Sequence, residues 1–208
     1  MNLTLVENRV KVLFLHDAGG HDFFHTLRVY RTAMSIAEKE PCNPEIVALG
    51  ALLHDADDKK LFSTENYANA RAILREYGAS PQLENAVIEV ISTVSFGGSS
   101  TIPATVEGRI VQDADRLDAI GAIGIARTFA YGGSHGTPMH DPGIPPRIGM
   151  TTEEYRSHKG TSLNHFYEKL FRLKETLNTH TAKEMALHRD AFLHRFVEEF
   201  LAEWDGIR

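Results

Sequence analysis

The chain has 208 residues, 42% of them apolar and 24% charged, which predicts one soluble domain with a core of its own. The formal net charge of −6 argues against nucleic-acid polymers as partners. The single cysteine, Cys42, excludes a disulfide framework, and we find neither a signal peptide pattern nor an apolar run that could span a membrane. These features predict a cytoplasmic protein without membrane contact.

Helical periodicity dominates the first half of the chain. Four predicted helices share one start signal, a capping side chain with or without a proline at the first turn. They open at Asp22, at Asn43-Pro44, at Ser63 or Thr64, and at Ser80-Pro81. The first of these helices is expected to end near Pro41 and the third at Gly78.

The second half is predicted to be helical on both sides of one long irregular loop. A fifth helix starts near Thr105, and its continuation through Gly121–Tyr131 is left open. Two C-terminal helices are marked by Phe166 and by Phe196 with their apolar neighbours. Gly, Pro, Ser and His dominate the segment between them, which is either a lid or a disordered segment. The expected architecture is all-α and a single domain, with these parts: a core over 20–131, a loop over 132–160 and C-terminal helices over 161–208.

The dipeptide His-Asp occurs four times, but only His54-Asp55 follows a strongly apolar helical run. A polar pair in that position enters the core or its mouth, and burying it is unfavourable unless the two groups are paired or bind a metal. His25, which follows two aromatic residues on the first predicted helix, is a second candidate ligand. The alternative for His25 is a core histidine that is hydrogen-bonded to the backbone.

Three carboxylates occur together in the run 111–118. Asp115 and Asp118 are three residues apart and can share one face of a helix, whereas Asp113 points elsewhere. Asp118 therefore rivals Asp115 as a candidate ligand. An ion pair with Arg116 is the alternative in which Asp115 binds no metal.

In this order and helical context, His25, His54-Asp55 and Asp115 resemble the H…HD…D signature of the HD superfamily of metal-dependent phosphohydrolases. Segments 111–124 and 164–170 further resemble a bacterial subgroup of small stand-alone HD hydrolases. The resemblance implies an HD-domain helical bundle with one divalent metal ion held by those four side chains. Two imidazoles and two carboxylates without a thiolate suit Mn, Mg, Fe, Co, Ni or Zn.

The resemblance also implies a reaction, the hydrolysis of a phosphate ester or anhydride in a nucleotide. The subgroup favours a (deoxy)nucleoside triphosphate cleaved to monophosphate and pyrophosphate. Alternatives are a nucleoside 5'-monophosphatase, a cyclic-nucleotide phosphodiesterase and a guanosine tetraphosphate hydrolase, and the non-enzyme alternative is a nucleotide sensor. The complete ligand set and Asp58 favour an enzyme. The base, the physiological metal and the oligomeric state stay open.

Asp58 resembles the acidic position that orients or deprotonates water in some nucleotidases of the superfamily. On a helix it would share the face of Asp55, three residues earlier, and the alternative is a solvated carboxylate at a helix end. Arg28 and Lys60 are the cations favoured for phosphate. By the subgroup resemblance alone, three further residues complete the substrate pocket: Asn164, His165 and Lys169.

Overall fold

The computed structural model describes residues 2–15, 22–59, 61–94, 102–150 and 160–208. These residues form helices and turns and contain no strand, which confirms the predicted all-helical HD-type fold. The helices in chain order are α1 Thr4–Leu13, α2 Phe23–Ala37, α3 Pro44–Leu53, α4 Ala68–Tyr77, α5 Pro81–Val94, α6 Val106–Asp118, α7 Gly121–Ser134, α8 Asn164–Glu168, a 3-10 helix Leu170–Thr176 and α9 His180–Trp204. Within the described ranges, no helix is both long and apolar enough to cross a membrane.

Most predicted helix starts are confirmed by their capping hydrogen bonds. The carboxylate of Asp22 accepts from the backbone N–H of His25 at 2.7 Å, and the side chain of Asn43 accepts from that of Glu45 at 3.0 Å. At the end of α4, Gly78 adopts the left-handed conformation with φ +87°, where a residue with a side chain would be strained. These local signals position α2, α3 and α4.

Several predicted boundaries are wrong. Helix α1 was not predicted, and α4 begins at Ala68 rather than at Ser63 or Thr64, because Asn66 and Tyr67 adopt left-handed backbone angles that no helix can continue. The fifth predicted helix is two helices, α6 and α7, separated at Ala119 and Ile120. The irregular segment therefore starts after Ser134 instead of Gly132, and 151–159 lie outside the described residues.

The chain divides into two compact units. Unit 1 comprises Met1–Asp115 with Asn178–Ala182, and unit 2 comprises Arg116–Leu177 with Lys183–Arg208. The expectation of one domain over 1–208 stays a prediction, because compactness does not test whether either unit folds alone.

Helix α3 is the centre of unit 1. It contacts α1, α2 and α5, and every residue from Val47 to Leu53 is buried. A Cβ at Gly50 would lie 2.8 Å from Val90 Cγ1, so the close approach of α3 and α5 requires glycine there. A helix that is buried all round explains why the run before His54 is apolar without periodicity.

A fully buried carboxylate, Asp113, joins α6 to the segment that precedes α9. It accepts hydrogen bonds from the backbone N–H groups of Asn178 and Thr179, from the Asn178 amide and from the Thr179 hydroxyl, at 2.7 to 3.1 Å. The Thr179 hydroxyl oxygen accepts in turn from the N–H of Ala182, which caps the first turn of α9. Asp113 thus points away from the face of Asp115, as predicted, and anchors a distant part of the chain.

In unit 2, four phenylalanine rings connect the helices. Phe129 of α7 lies with its ring centroid 6.1 Å from that of Phe166 of α8, and 5.8 and 5.9 Å from those of Phe196 and Phe200 of α9. Phe166 and Phe196 stack at 5.7 Å. The apolar positions that predicted the two C-terminal helices therefore form one aromatic cluster.

His165 of α8, which directly precedes Phe166 in the sequence, is half-buried. Burial, together with a smaller effect of the positive charge of Lys169, lowers the pKa of His165 to about 4. The imidazole is therefore neutral in the folded protein at every pH above this value.

We expect Asp113→Ala to lower the free energy of unfolding by about 2–4 kcal/mol, because several buried donors of Asn178 and Thr179 lose their acceptor. Urea denaturation of the variant and the wild type measures the change. Asp205→Ala, which removes an exposed carboxylate, serves as the control and should shift the free energy by less than about 0.5 kcal/mol. Equal stability of the Asp113 variant and the control would contradict the anchoring role.

We expect His165 to make the folded protein acid-sensitive. Its folded pKa of about 4 lies below the ordinary value of 6.5, so protons bind the unfolded chain first and stability is lost as pH falls from 6.5 to 4. His165→Gln should reduce the slope of the unfolding free energy against pH in this window by up to about 1.4 kcal/mol per pH unit. Urea denaturation at several pH values tests this, and exposed His188→Gln should leave the slope unchanged.

Candidate metal centre

The first turn of α2 carries His25 into the interior of unit 1. Asp22 caps this turn by accepting from the N–H of His25 itself, so the cap fixes the backbone that bears the imidazole. The side chain of His25 is only 1% exposed. Its Nε2 atom is the one that faces the other candidate ligands.

His54 and Asp55 follow directly on α3, whose last helical residue is Leu53. The imidazole of His54 donates from Nδ1 to the carbonyl oxygen of Ala51 at 2.9 Å, which leaves Nε2 as the atom available for a ligand or a proton. Both residues are buried, with 6% and 5% exposure. The buried helix α3 therefore delivers the pair to the interior, as its sequence predicts.

The polar atoms of four side chains converge. His54 Nε2 lies 3.3 Å from His25 Nε2 and 3.3 Å from Asp55 Oδ2. Asp115 Oδ1 lies 3.4 Å from His25 Nε2 and 4.0 Å from His54 Nε2, while Asp55 Oδ2 lies 3.6 Å from His25 Nε2. Ligand atoms about 2.1 Å from one divalent ion are separated by about 3.0–3.4 Å, so this spacing is close to that of a coordination shell.

The donor set fits a divalent ion. Within the described residues, His25, His54 and Asp115 form the one group of ligand-type side chains whose donor atoms all lie within 4.8 Å of one another, and Asp55 lies beside it. Two imidazole nitrogens and two carboxylate oxygens suit a metal of intermediate hardness, and no thiolate takes part. Such a group could hold the ion that the sequence predicts.

The charges of the site alter the proton affinity of His54. Burial lowers the pKa of this imidazole, but the negative charges of Asp55 and Asp115 and the hydrogen bond to Ala51 outweigh it and raise the pKa to about 9. A proton therefore occupies the site at neutral pH in the absence of a metal. A cation that binds Nε2 has to displace this proton, because both need the same lone pair.

The three carboxylates of α6 have separate environments. Asp115 lies at the histidines with its side chain 24% exposed, whereas Asp113 is taken up by Asn178 and Thr179. Asp118 belongs to unit 2, where its carboxylate accepts from Arg127 at 2.7 Å. Of the two rivals, Asp115 is therefore the one that the structure brings to the imidazoles.

Asp58 is half-buried, but it does not stand on a helix. Since α3 ends at Leu53, the expectation that Asp58 shares a helical face with Asp55 is wrong. Instead, the N–H of Asp58 donates to the carbonyl oxygen of Asp55 at 3.1 Å in a tight turn. That turn holds the two backbones together, while the catalytic role of Asp58 stays a prediction.

The residues predicted to bind substrate are distributed over both units. Arg28 stands on α2 one turn after His25, and Lys60 lies outside the described residues. Asn164 and His165 belong to α8 in unit 2, and Lys169 follows it. The amide of Asn164 donates to the carbonyl oxygen of Ile144 at 2.8 Å, so this side chain holds part of the irregular segment in place.

The sequence did not predict the role of Asp57, which follows the candidate ligand Asp55 by two residues and binds Thr64. The carboxylate of Asp57 accepts from the Thr64 hydroxyl at 2.6 Å and from the backbone N–H groups of Asn69 and Ala70 at 3.0 and 2.9 Å. No periodic pattern connects residues at this separation. The one sequence signal was the presence of three acids in 55–58, more than a single ion needs.

Comparison with known proteins identifies the family. A model of the HD domain matches residues 22–120, which include all four candidate ligands. The chain is 36% identical to the protein YpgQ of Bacillus subtilis over 203 residues, which cover 95% of this chain and 91% of YpgQ.

Solved structures agree with this assignment. A structure from Lactobacillus plantarum has a TM-score of 0.84 and 41% identity, with 98% of this chain and 97% of that chain covered. An HD-superfamily hydrolase from Bacillus thuringiensis has a TM-score of 0.76 and 41% identity, with 96% and 95% covered. YpgQ of Bacillus subtilis in complex with ADP has a TM-score of 0.78 and 32% identity, with 97% and 100% covered. The chain therefore belongs to the HD domain family and is a metal-dependent phosphohydrolase of the HD type.

Proposed function

We propose that this protein hydrolyses a (deoxy)nucleoside triphosphate to the monophosphate and pyrophosphate, with one divalent ion held by His25, His54, Asp55 and Asp115. The observation that carries the proposal is the convergence of two imidazole Nε2 atoms and two carboxylate oxygens at separations of 3.3 to 4.0 Å. The ADP complex of the related YpgQ supports a nucleotide with a phosphoanhydride as the ligand.

A divalent ion in this group supplies Lewis acidity, which lowers the pKa of water and stabilises negative charge on a phosphoryl group. The chain's own residues determine how it is held. The hydrogen bond from His54 Nδ1 to Ala51 fixes the imidazole orientation and keeps Nε2 directed into the site. Asp55 and Asp115 bring the negative charge that favours a cation over a neutral ligand.

In the proposed reaction, a water oxygen attacks the α-phosphorus, and the bond from that phosphorus to the bridging oxygen breaks. Pyrophosphate leaves with the electron pair of this bond, and the carboxylate of Asp58 accepts a proton from the water. Arg28 and Lys60 bind the phosphates. Asn164, His165 and Lys169 stay substrate residues by the resemblance of sequence alone, and the lowered pKa of His165 leaves its imidazole neutral.

Manganese as the preferred ion and a cytoplasmic location stay predictions from the sequence. The absence of nucleic-acid polymers among the partners likewise rests on the negative net charge of the chain.

A phosphate-release screen tests the function. The protein is stripped of metal, reloaded with Mn, Mg, Co, Ni, Fe or Zn, and supplied with nucleoside tri-, di- and monophosphates and cyclic nucleotides, while phosphate and pyrophosphate are detected separately. We expect pyrophosphate and monophosphate from triphosphates. Phosphate release from monophosphates alone would establish the nucleotidase alternative, and nucleotide binding without turnover in any metal would establish the sensor.

We expect His54→Ala and Asp115→Asn each to lose bound metal and hydrolysis together, because each removes one donor of a single site. Asp118→Asn should retain the metal, since that carboxylate is paired with Arg127. Elemental analysis of the purified variants measures the metal, and thermal denaturation checks that each variant is folded. One metal ion per chain in folded His54→Ala, or greater damage from Asp118→Asn than from Asp115→Asn, would refute the ligand assignment.

We expect Asp58→Asn to lower kcat by about two to four orders of magnitude, the usual range for loss of a positioned acid–base group. The metal content and KM should change little, because Asp58 is proposed to act on water and not on the ion or the nucleotide. Steady-state kinetics with the preferred triphosphate separate kcat from KM. The matched control is Glu65→Gln, an exposed acid in the same loop. A kcat near that of the control would make Asp58 a solvated carboxylate.

A further inference from the structure

The side chain of Asp57 binds the start of α4 and so connects the two ends of the segment between them. Asp57 precedes the segment, and its carboxylate accepts from the N–H groups of Asn69 and Ala70 at 3.0 and 2.9 Å, across 12 and 13 residues of sequence. The amide of Asn69 donates back to the carbonyl oxygen of Ala56 at 2.8 Å. These contacts join the turn that follows the candidate ligands to the start of α4, and we call them the Asp57 clasp.

The clasp replaces a local helix cap. Asn69 and Ala70 are the second and third residues of α4, whose N–H groups are normally satisfied by the side chain of the residue just before the helix. That residue is Tyr67, whose side chain makes no capping hydrogen bond. Asp57 therefore acts as a cap from a distant position. Its negative charge faces the positive end of the helix dipole.

The backbone before α4 is strained. Asn66 and Tyr67 have φ of 54° and 57°, the left-handed region that residues with side chains rarely adopt, and here they adopt it in succession. The carbonyl oxygen of Asn66 accepts from Arg71 Nε at 3.0 Å, and Arg71 Nη1 donates to the largely buried Glu84 of α5 at 2.6 Å. Such strain persists only where surrounding contacts hold it, and it commonly occurs at functional sites.

At its other end, the clasp meets the turn that bears Asp58. The N–H of Asp58 donates to the carbonyl oxygen of Asp55 at 3.1 Å, and its carbonyl oxygen accepts from the N–H groups of Leu61 and Phe62, each at 2.9 Å. One peptide bond separates Asp58 from Asp57. The backbone that bears the Asp58 side chain therefore directly follows the residue whose carboxylate binds the start of α4.

We propose that Asp57 is a positioning residue for hydrolysis: by clasping the start of α4, its carboxylate holds the turn so that Asp58 meets the attacking water. The inference rests on the proposed role of Asp58. A helix cap alone requires no strained connection, since a serine, threonine or aspartate at position 67 would supply one locally. The remote cap instead connects the turn at 55–58 to α4, which packs against α5.

A double-mutant cycle tests the inference with the full-length, metal-loaded protein. Asp57→Ala should lower kcat by about 10- to 100-fold, since a displacement of about 1 Å at a reacting group has effects of this size. KM and metal content should stay near wild-type values, and Asp57→Asn, which keeps one acceptor oxygen, should restore part of kcat. In the Asp58→Asn background, Asp57→Ala should lower kcat by less than twofold.

The matched control is Ser80→Ala, because Ser80 caps the neighbouring helix α5 by accepting from the N–H of Leu83 at 3.2 Å. It should lower the melting temperature without changing kcat in assays well below that temperature. An equal loss of kcat in Ser80→Ala, a multiplicative loss in the Asp57/Asp58 double variant, or full kcat in Asp57→Ala would each overturn the positioning role.

The outcomes also separate this inference from the proposed function. Full kcat in Asp58→Asn would refute the role of Asp58 and the positioning role together. If Asp58→Asn lowers kcat and Asp57→Ala lowers it by the same factor in both backgrounds, only the positioning role is refuted. If Asp57→Ala does not fold, Thr64→Val takes its place, because it removes only the hydroxyl donor at 2.6 Å. It should then lower kcat at constant KM, and an unchanged kcat would count against the clasp.

Discussion

The nitrogen and oxygen atoms of two imidazoles and two carboxylates lie 3.3 to 4.0 Å apart in a site that is largely shielded from water. Negative charges this close are unfavourable in a buried site unless a positive charge lies between them. The raised pKa of His54 reflects this negative charge, and a divalent ion, with two positive charges, would compensate more of it than a proton does. Three features keep these polar atoms together: the burial of α3, the Asp22 cap of α2 and the hydrogen bond from His54 to Ala51. Unit 1 is thus organised around a group of charges that requires a cation.

The acidic residues beside the ligands have a second purpose. Asp57, two positions after Asp55, caps α4, and Asp113, two positions before Asp115, holds the threonine that caps α9. In both cases a carboxylate is engaged by backbone N–H groups and so does not compete for the ion. The two acidic runs of the sequence therefore separate into residues that face the cation and residues that fix the backbone bearing them.

Much of this arrangement could be predicted from the sequence, because it depends on local or periodic signals. The caps at Asp22 and Asn43 and the apolar run before His54 each act within a few residues. The start of α4 could not be predicted, since its cap, Asp57, lies eleven residues before the first residue of the helix and Thr64, a good local cap, donates to Asp57 instead. The turn that bears Asp58 could not be predicted either, because the residues after α3 include no glycine or proline that would signal the end of a helix.

The same limit separates the metal ligands from the substrate residues. His25, His54, Asp55 and Asp115 belong to one motif and all lie in unit 1, so a pattern in the sequence corresponds to one cluster in space. Asn164, His165 and Lys169 lie in unit 2, and a resemblance of sequence is what connects them to the nucleotide.

The hydrogen bonds between Asp113 and 178–179 have a consequence for biosynthesis. Because the ribosome synthesises a chain from its N-terminus, the carboxylate of Asp113 has no partners until about 65 further residues have been made. Until Asn178 and Thr179 are available, the carboxylate of Asp113 lacks these donors, and its desolvation is unfavourable. In a nascent chain, the stretch of α6 that bears Asp115 therefore gains this anchor only after residues 178–179 have been synthesised.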